Sequence, residues 1–238
     1  GDDGATAPWL SRVLEALPAD LSAALTAELA ALRQAHPQAD DPAYLRLYER
    51  ACRVRRAARL APMRQASPRV VYVRRHPVSP SFFAYTEGQS DAQAERHFRP
   101  GSELCLLTLA ADGTCRSEVL LQSPNGVIRD PDVSYDGEHI LFAWKKADLT
   151  DDYHLYELPA VGGPPRQITF GLGVADFEPA YLPTGEIVFS SSRCVQTVDC
   201  WWTEVSNLYL CDAQGRYLRR VGFDQVHTVS PHVLDDGT

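Results

Sequence analysis

A repeat constrains this chain more than any other feature. Pro131 and Gly137 return as Pro179 and Gly185, and again as Pro231 and Gly237; the pair is six residues apart in each copy, and the copies are separated by 48 and then 52 residues. A second pattern runs in phase with the first. Leu155-Tyr156 precedes Gly162 and Arg166, as Leu208-Tyr209 precedes Gly215 and Arg219. A period near fifty, built of short apolar runs between Gly-containing turns, predicts a β-propeller in which each repeat supplies one four-stranded blade. Helical solenoids share the period but need apolar residues at 3.6-residue spacing and few turn residues. The runs from His139 to Trp144 and from Glu186 to Ser190 each follow a Gly turn and read as the buried second strand of a hairpin. Tyr153 to Leu158 and Asn207 to Cys211 read as the next strand of each blade.

The fold class expected is therefore mainly β: propeller blades over residues 67–238, preceded by an N-terminal helical segment over residues 1–66. About three blades cannot close into a ring, and an incomplete ring leaves blade faces and strand edges uncovered. The expectation is a piece of a six- to eight-bladed propeller that continues past residue 238, or one completed by another chain. The opening Gly1-Asp-Asp, with no Met and no leader, reads as a processed product.

In the first part of the chain, Asp20 reads as the cap of a helix with Leu21, Leu25, Leu29 and Leu32 on one face, ended by Pro37. Asp41 and Pro42 then open a second helix with Tyr44, Tyr48, Cys52 and Arg55 on a common side. Leucine stripes of this kind build cores far more often than binding surfaces. Residues 46–75 hold ten Arg and one acid in a chain whose net charge is −8. That run invites a nucleic-acid or lipid reading, but no base-stacking aromatics interleave it, so a solvated helix face pairing with acidic blades is the expectation. The overall charge makes the whole molecule a poor partner for nucleic acid, and no apolar run is long enough to span a membrane.

Two stretches interrupt the regular pattern. His76 to Pro100 is a long irregular insertion carrying Tyr85, Glu87 and Asp91, and long irregular segments in compact folds commonly carry function. Ser190 to Glu204 replaces a tight turn with Arg193, Cys194, Cys200, Trp201 and Trp202. Extended loops at a propeller mouth are where such folds place binding groups, so Tyr85, Glu87, Asp91, Arg193, Trp201 and Trp202 are the candidate binding residues. Their structural alternatives are a loop-fixing hydrogen-bond network for the first three and a rim cover for the tryptophans. Cys194 and Cys200 are placed to bridge the loop. Cys194 is also the candidate metal ligand, since a thiolate beside Arg193 has its charged form favoured. Cys105 and Cys115 flank the turn at Asp112-Gly113, but that hairpin puts Cys105 opposite residue 118 rather than 115. His227 and His232 would point to opposite faces of a strand, and no spacing singles out His76, His97, His139 or His154. No His-Glu-x-x-His, Gly-x-Ser-x-Gly, Walker loop or Cys-x-x-Cys-His is present.

Phe82 to Ala94, Phe98 to Gly101, Arg129 to Gly137 and Ile187 to Cys194 together resemble the middle domain of the hydrazine synthase α subunit family, whose blades are of the TolB/PD40 type. The resemblance covers roughly residue 50 to the end. It implies an exported protein, periplasmic or secreted, whose propeller gathers a ligand or a protein partner at its mouth. It also implies a zinc ion close to a catalytic haem with a cysteine ligand, a place that Cys194 would take; the haem itself would need a domain beyond residue 238. A redox enzyme of that class is accordingly the alternative function, and the propeller of a prolyl-oligopeptidase-like hydrolase is a second one. Cys-x-x-Cys-His or Gly-x-Ser-x-Gly downstream would distinguish them. The partners expected are the remaining blades or a downstream domain, and the residues by themselves name no cofactor.

Overall fold

The computed structural model describes residues 6–35, 41–77, 99–147, 151–198 and 204–234. Among these, three helices precede eleven strands in three antiparallel sheets, so the chain is mainly β. Gly1–Val70 together with Leu107–Ser117 forms one compact unit, and Val71–Leu106 together with Glu118–Thr238 forms the other.

The first unit contains α1 (Thr6–Glu15), α2 (Ala19–Ala35) and α3 (Pro42–Ala66). Their apolar faces share a core of Leu10, Leu14, Leu25, Leu29, Tyr44 and Leu47. The Asp41 side chain accepts a hydrogen bond from Ala43 N at 2.7 Å, capping α3 with Pro42 in its first turn, as the sequence predicts. The earlier helix departs from expectation in two ways. α2 begins at Ala19, so Asp20 sits inside its first turn, and Leu21 is exposed rather than part of the stripe. Pro18 also separates off a distinct helix, α1, ahead of it. The Arg-rich face finds partners among the helices themselves: Arg50 pairs with Glu28 of α2, and Arg53 lies 3.9 Å from Glu49.

The second unit explains the repeat. β4 (Val127–Val133), β5 (His139–Lys145), β6 (His154–Pro159) and β7 (Arg166–Gln167) form one sheet in chain order. β8 (Asp176–Tyr181), β9 (Ile187–Ser191), β10 (Asn207–Cys211) and β11 (Arg219–Arg220) form the next in the same order. Each is an antiparallel meander, with Leu141 opposite Glu157 in one and Phe189 opposite Tyr209 in the other. That is the strand arrangement of a propeller blade. A third sheet holds β1 (Arg69–Arg75), β2 (Ser102–Leu109) and β3 (Cys115–Ser123).

Strand alternation builds two cores from one strand. Leu141 and Ala143 of β5 pack with Phe177, Ile187 and Phe189 of the following sheet, while Ile140 and Phe142 pack on the opposite face with Leu104, Val71 and Val73. A strand covered on both sides reads as an unbroken apolar run, which is what His139 to Trp144 is.

The repeated Gly closes the turns at one end of these sheets, hereafter the lower end. Gly137 N donates to Ser134 O at 2.8 Å and Gly185 N to Leu182 O at 2.9 Å, with φ of +73° and +84° that an L side chain rarely adopts. The repeated Pro marks a bulge. Pairing of β4 with β5 shifts between Arg129 and Asp132, and pairing of β8 with β9 shifts between Phe177 and Ala180, because Pro131 and Pro179 have no N–H to give the ladder. The connections 124–126, 146–153, 168–175 and 192–206 leave from the other, upper end. β1 finishes and β2 starts there too, and Gly101 N donates to Gly126 O at 3.0 Å.

Candidate functional site at the upper end of the sheets

Asp176, the first residue of β8, is fully buried and anchors the upper end. Its Oδ1 accepts from Ser191 Oγ at 2.6 Å and from Arg193 Nε at 2.9 Å, and its Oδ2 accepts from an Arg193 terminal nitrogen at 2.6 Å. His154 Nδ1, at the start of β6 in the preceding sheet, lies 3.5 Å from the same Oδ2. Burial alone would push the Asp176 carboxyl up. The approach of the His154 ring, the hydrogen bonds from Arg193 and Ser191 and the Arg193 charge outweigh it, holding the group below the ordinary carboxylate range. A buried ion pair of this kind is sustained by its hydrogen bonds, and removing one partner leaves the other uncompensated.

This geometry gives Arg193 a definite place. Its guanidinium faces Asp176 and also donates to Phe170 O, so it ties the 168–175 connection to the short 3-10 turn Ser192–Cys194. Cys194 is half-buried and carries a free thiol, whose Sγ donates to Val205 O at 3.0 Å. Cys200, its expected bridging partner, lies outside the described residues, as do Tyr85, Glu87, Asp91, Trp201 and Trp202. The connections that carry them, 76–101 and 192–206, both join strands at the upper end. Cys105 and Cys115 are free thiols, one buried and one exposed.

Among the described residues, Asp136, Glu138 and His139 alone group three potential metal-binding side chains, and they sit at the lower end. Asp136 already accepts from Ser134 Oγ at 2.6 Å and from Glu138 N at 2.9 Å, which makes it the cap of its own turn. His227, whose Nδ1 accepts from Ser206 N at 3.2 Å, has its pKa lowered by burial, which suits a neutral structural imidazole.

Sequence reasoning did not single out the Asp176–His154 pairing. The two residues are brought together only when neighbouring sheets stack, and nothing in their local spacing signals it. Lys146, which lines the same hollow as His154, stands with its Nζ 5.0 Å and 4.5 Å from the ring centroids of Trp144 and Tyr156. Burial, with the Asp151 charge adding to it, pushes the Tyr156 phenol well above its ordinary value, so it remains neutral.

No family model matches the chain, and no curated protein matches it significantly. Solved structures similar to it include a TolB protein from Agrobacterium tumefaciens (20% identity, TM-score 0.42, covering 55% of this chain and 41% of that one). Another is TolB from Acinetobacter baumannii (19% identity, TM-score 0.42, 57% and 30%). A third is a puromycin hydrolase (17% identity, TM-score 0.39, 53% and 19%). The chain thus spans less than half the length of each of these structures. The resemblance to hydrazine synthase α gains nothing from these comparisons and rests on its sequence motifs.

Proposed function

We propose that this chain is part of a β-propeller scaffold whose upper end gathers a ligand or a protein partner, in an exported protein of TolB/PD40 type. The observation that carries this reading is the succession of two four-stranded meanders in chain order, stacked face to face, with every long connection on one side. The remaining blades come from the same polypeptide or from a partner chain, forming a ring of six to eight. Residence in the periplasm or outside the cell, the binding roles of the two long connections and a zinc at Cys194 belong to the same reading. No helix among the described residues is long and apolar enough to cross a membrane.

The test compares the natural full-length polypeptide with two variants, each affinity-purified from an extracytoplasmic extract. One has the β9–β10 connection shortened to a tight turn; the other has the lower turn Asp212–Gly215 replaced by a turn of equal length. The scaffold reading expects the upper variant alone to lose co-purifying molecules while its circular dichroism is retained. Loss confined to the lower variant overturns it.

A further inference from the structure

We infer that the hollow at the start of β6 binds a carboxylate group, held between His154 and Lys146, on a small molecule with an apolar body. The hollow measures about 510 Å³ and is lined by Lys146, Asp151, His154, Tyr156, Phe170 and Leu172, among others. The inference rests on reading the upper end as a binding face.

The His154 side chain is 95% buried, at 5% relative exposure, yet Nδ1 has no hydrogen-bond partner among the described residues. The Asp176 oxygens toward which it turns are already engaged by Ser191 and Arg193. The two nitrogens of an imidazole diverge, so with Nδ1 facing Asp176 the Nε2 edge faces away from that carboxylate, and it too has no hydrogen-bond partner among the described residues. Nδ1 is the buried atom left without a hydrogen bond, and Nε2 is the nitrogen that a ligand acceptor would engage.

Lys146 supplies the second contact. Its ammonium lies over two aromatic rings and forms no ion pair among the described residues. The nearby carboxylates accept from the backbone, Asp151 from Lys146 N at 3.0 Å and Asp152 from Gly173 N at 3.1 Å. An ammonium and an imidazole edge that line one hollow offer two donors to an oxyanion. The rim defines the body of the ligand, since Phe170 is 64% exposed and Leu172 98% exposed. An apolar group beside the carboxylate would cover both.

The experiment titrates the full chain with phenylacetate, acetate, and a short peptide ending in phenylalanine as either the free acid or the amide. Calorimetry and the side-chain nitrogen resonances of His154 are the readouts. Phenylacetate is expected to bind and to shift His154 Nε2, and Lys146→Met, an apolar replacement at the site's edge, is expected to weaken it about tenfold. His154→Asn should weaken it comparably, and Phe170→Ala should weaken phenylacetate but not acetate. Binding of the peptide acid but not the amide would identify a protein C-terminus as a second source of the same group. No binding, or affinity unchanged in both Lys146→Met and His154→Asn, overturns the site. If the site fails while the shortened β9–β10 connection still loses its partner, the binding face stands and only this ligand is excluded.

Discussion

The Asp130 carboxylate accepts the backbone N–H of Glu178 at 3.2 Å, across two sheets and 48 residues of chain. Glu178 then does the same for its successor, its Oε2 accepting from Ser230 N at 2.6 Å. All three residues precede a proline and hold left-handed backbone, with φ of +52°, +50° and +57°. In β4 and β8 the position that breaks the strand therefore also fastens it to the next repeat. Arg129 packs against this fastening, with its guanidinium 5.6 Å from the Tyr153 ring centroid and 5.1 Å from that of Phe177.

Replacing Glu178 by Ala should cost about 2 kcal/mol, because it strands the Ser230 N–H and the Ser190 hydroxyl, which donates to the same oxygen at 2.9 Å. Glu178→Gly should be less harmful than Glu178→Ala by about 1 kcal/mol, since Gly adopts the left-handed conformation without a Cβ penalty. Urea unfolding midpoints check the order; Gly worse than Ala would show that the backbone there is unstrained.

Arg193→Met should destabilise by about 3 to 5 kcal/mol, as expected when one partner of a buried pair is removed. The pH dependence should also reverse. In the wild type the folded-state pKa of Asp176 is depressed, so its contribution is full above the unfolded value and is lost as pH falls through the folded one. Without Arg193 the burial effect should gain the upper hand, raising the folded pKa, so the variant should lose stability as pH rises toward neutrality. Thermal melts across the acid range distinguish the two slopes.

Tyr181 donates to Glu157 at 2.7 Å, and Arg166 reaches the other oxygen of the same carboxylate at 2.7 Å. Burial, followed by the Glu157 hydrogen bond and charge, pushes the Tyr181 phenol well above its ordinary value. A raised folded pKa gives stability that is full below the unfolded pKa of about 10 and lost as pH climbs beyond it. Alkaline unfolding should therefore coincide with the appearance of tyrosinate absorbance, and Tyr181→Phe should reduce that linkage.

Cys115 is exposed, whereas Cys105 and Cys211 are buried and burial pushes the Cys211 thiol up to about 12, with Asp212 adding to it. Iodoacetamide should label Cys115 in the native protein and reach Cys211 only on unfolding. Native labelling of Cys211, read by mass spectrometry, would contradict the packing of β10.

Two alanine substitutions separate close approach from backbone conformation. A Cβ at Gly126 would lie 1.9 Å from Lys145 O, whereas Gly137, at φ +73°, has nothing within 4 Å of such an atom. Gly137→Ala should cost about 1 kcal/mol from conformation alone. Gly126→Ala should be clearly worse by calorimetry, because backbone must move to admit the side chain.

Much of the sheet layout was legible because it depends on local chemistry. Gly137 and Gly185 announce turns, Pro131 and Pro179 announce interrupted ladders, and the apolar runs between them fall on β5, β6, β9 and β10. What escaped depends on neighbours. A residue before proline is ordinarily driven to extended backbone, so nothing local predicts that Asp130 and Glu178 turn left-handed; hydrogen bonds to the adjoining sheet hold them there. His154 and Asp176 meet through stacking of sheets rather than through spacing. Asp20 looked like a cap because a periodic leucine run followed it, but Pro18 already set the start of α2 at Ala19.

The upper connections 146–153 and 192–206 occupy equivalent places and differ greatly in length, while the strands they join keep equivalent antiparallel pairing. Loop closure becomes costlier only slowly as a segment lengthens, by about 0.6 kcal/mol per doubling. Foreign sequence spliced at that edge would leave strand registration untouched, so such a scaffold can accept insertion and deletion there while the hairpin tips opposite keep every strand in phase.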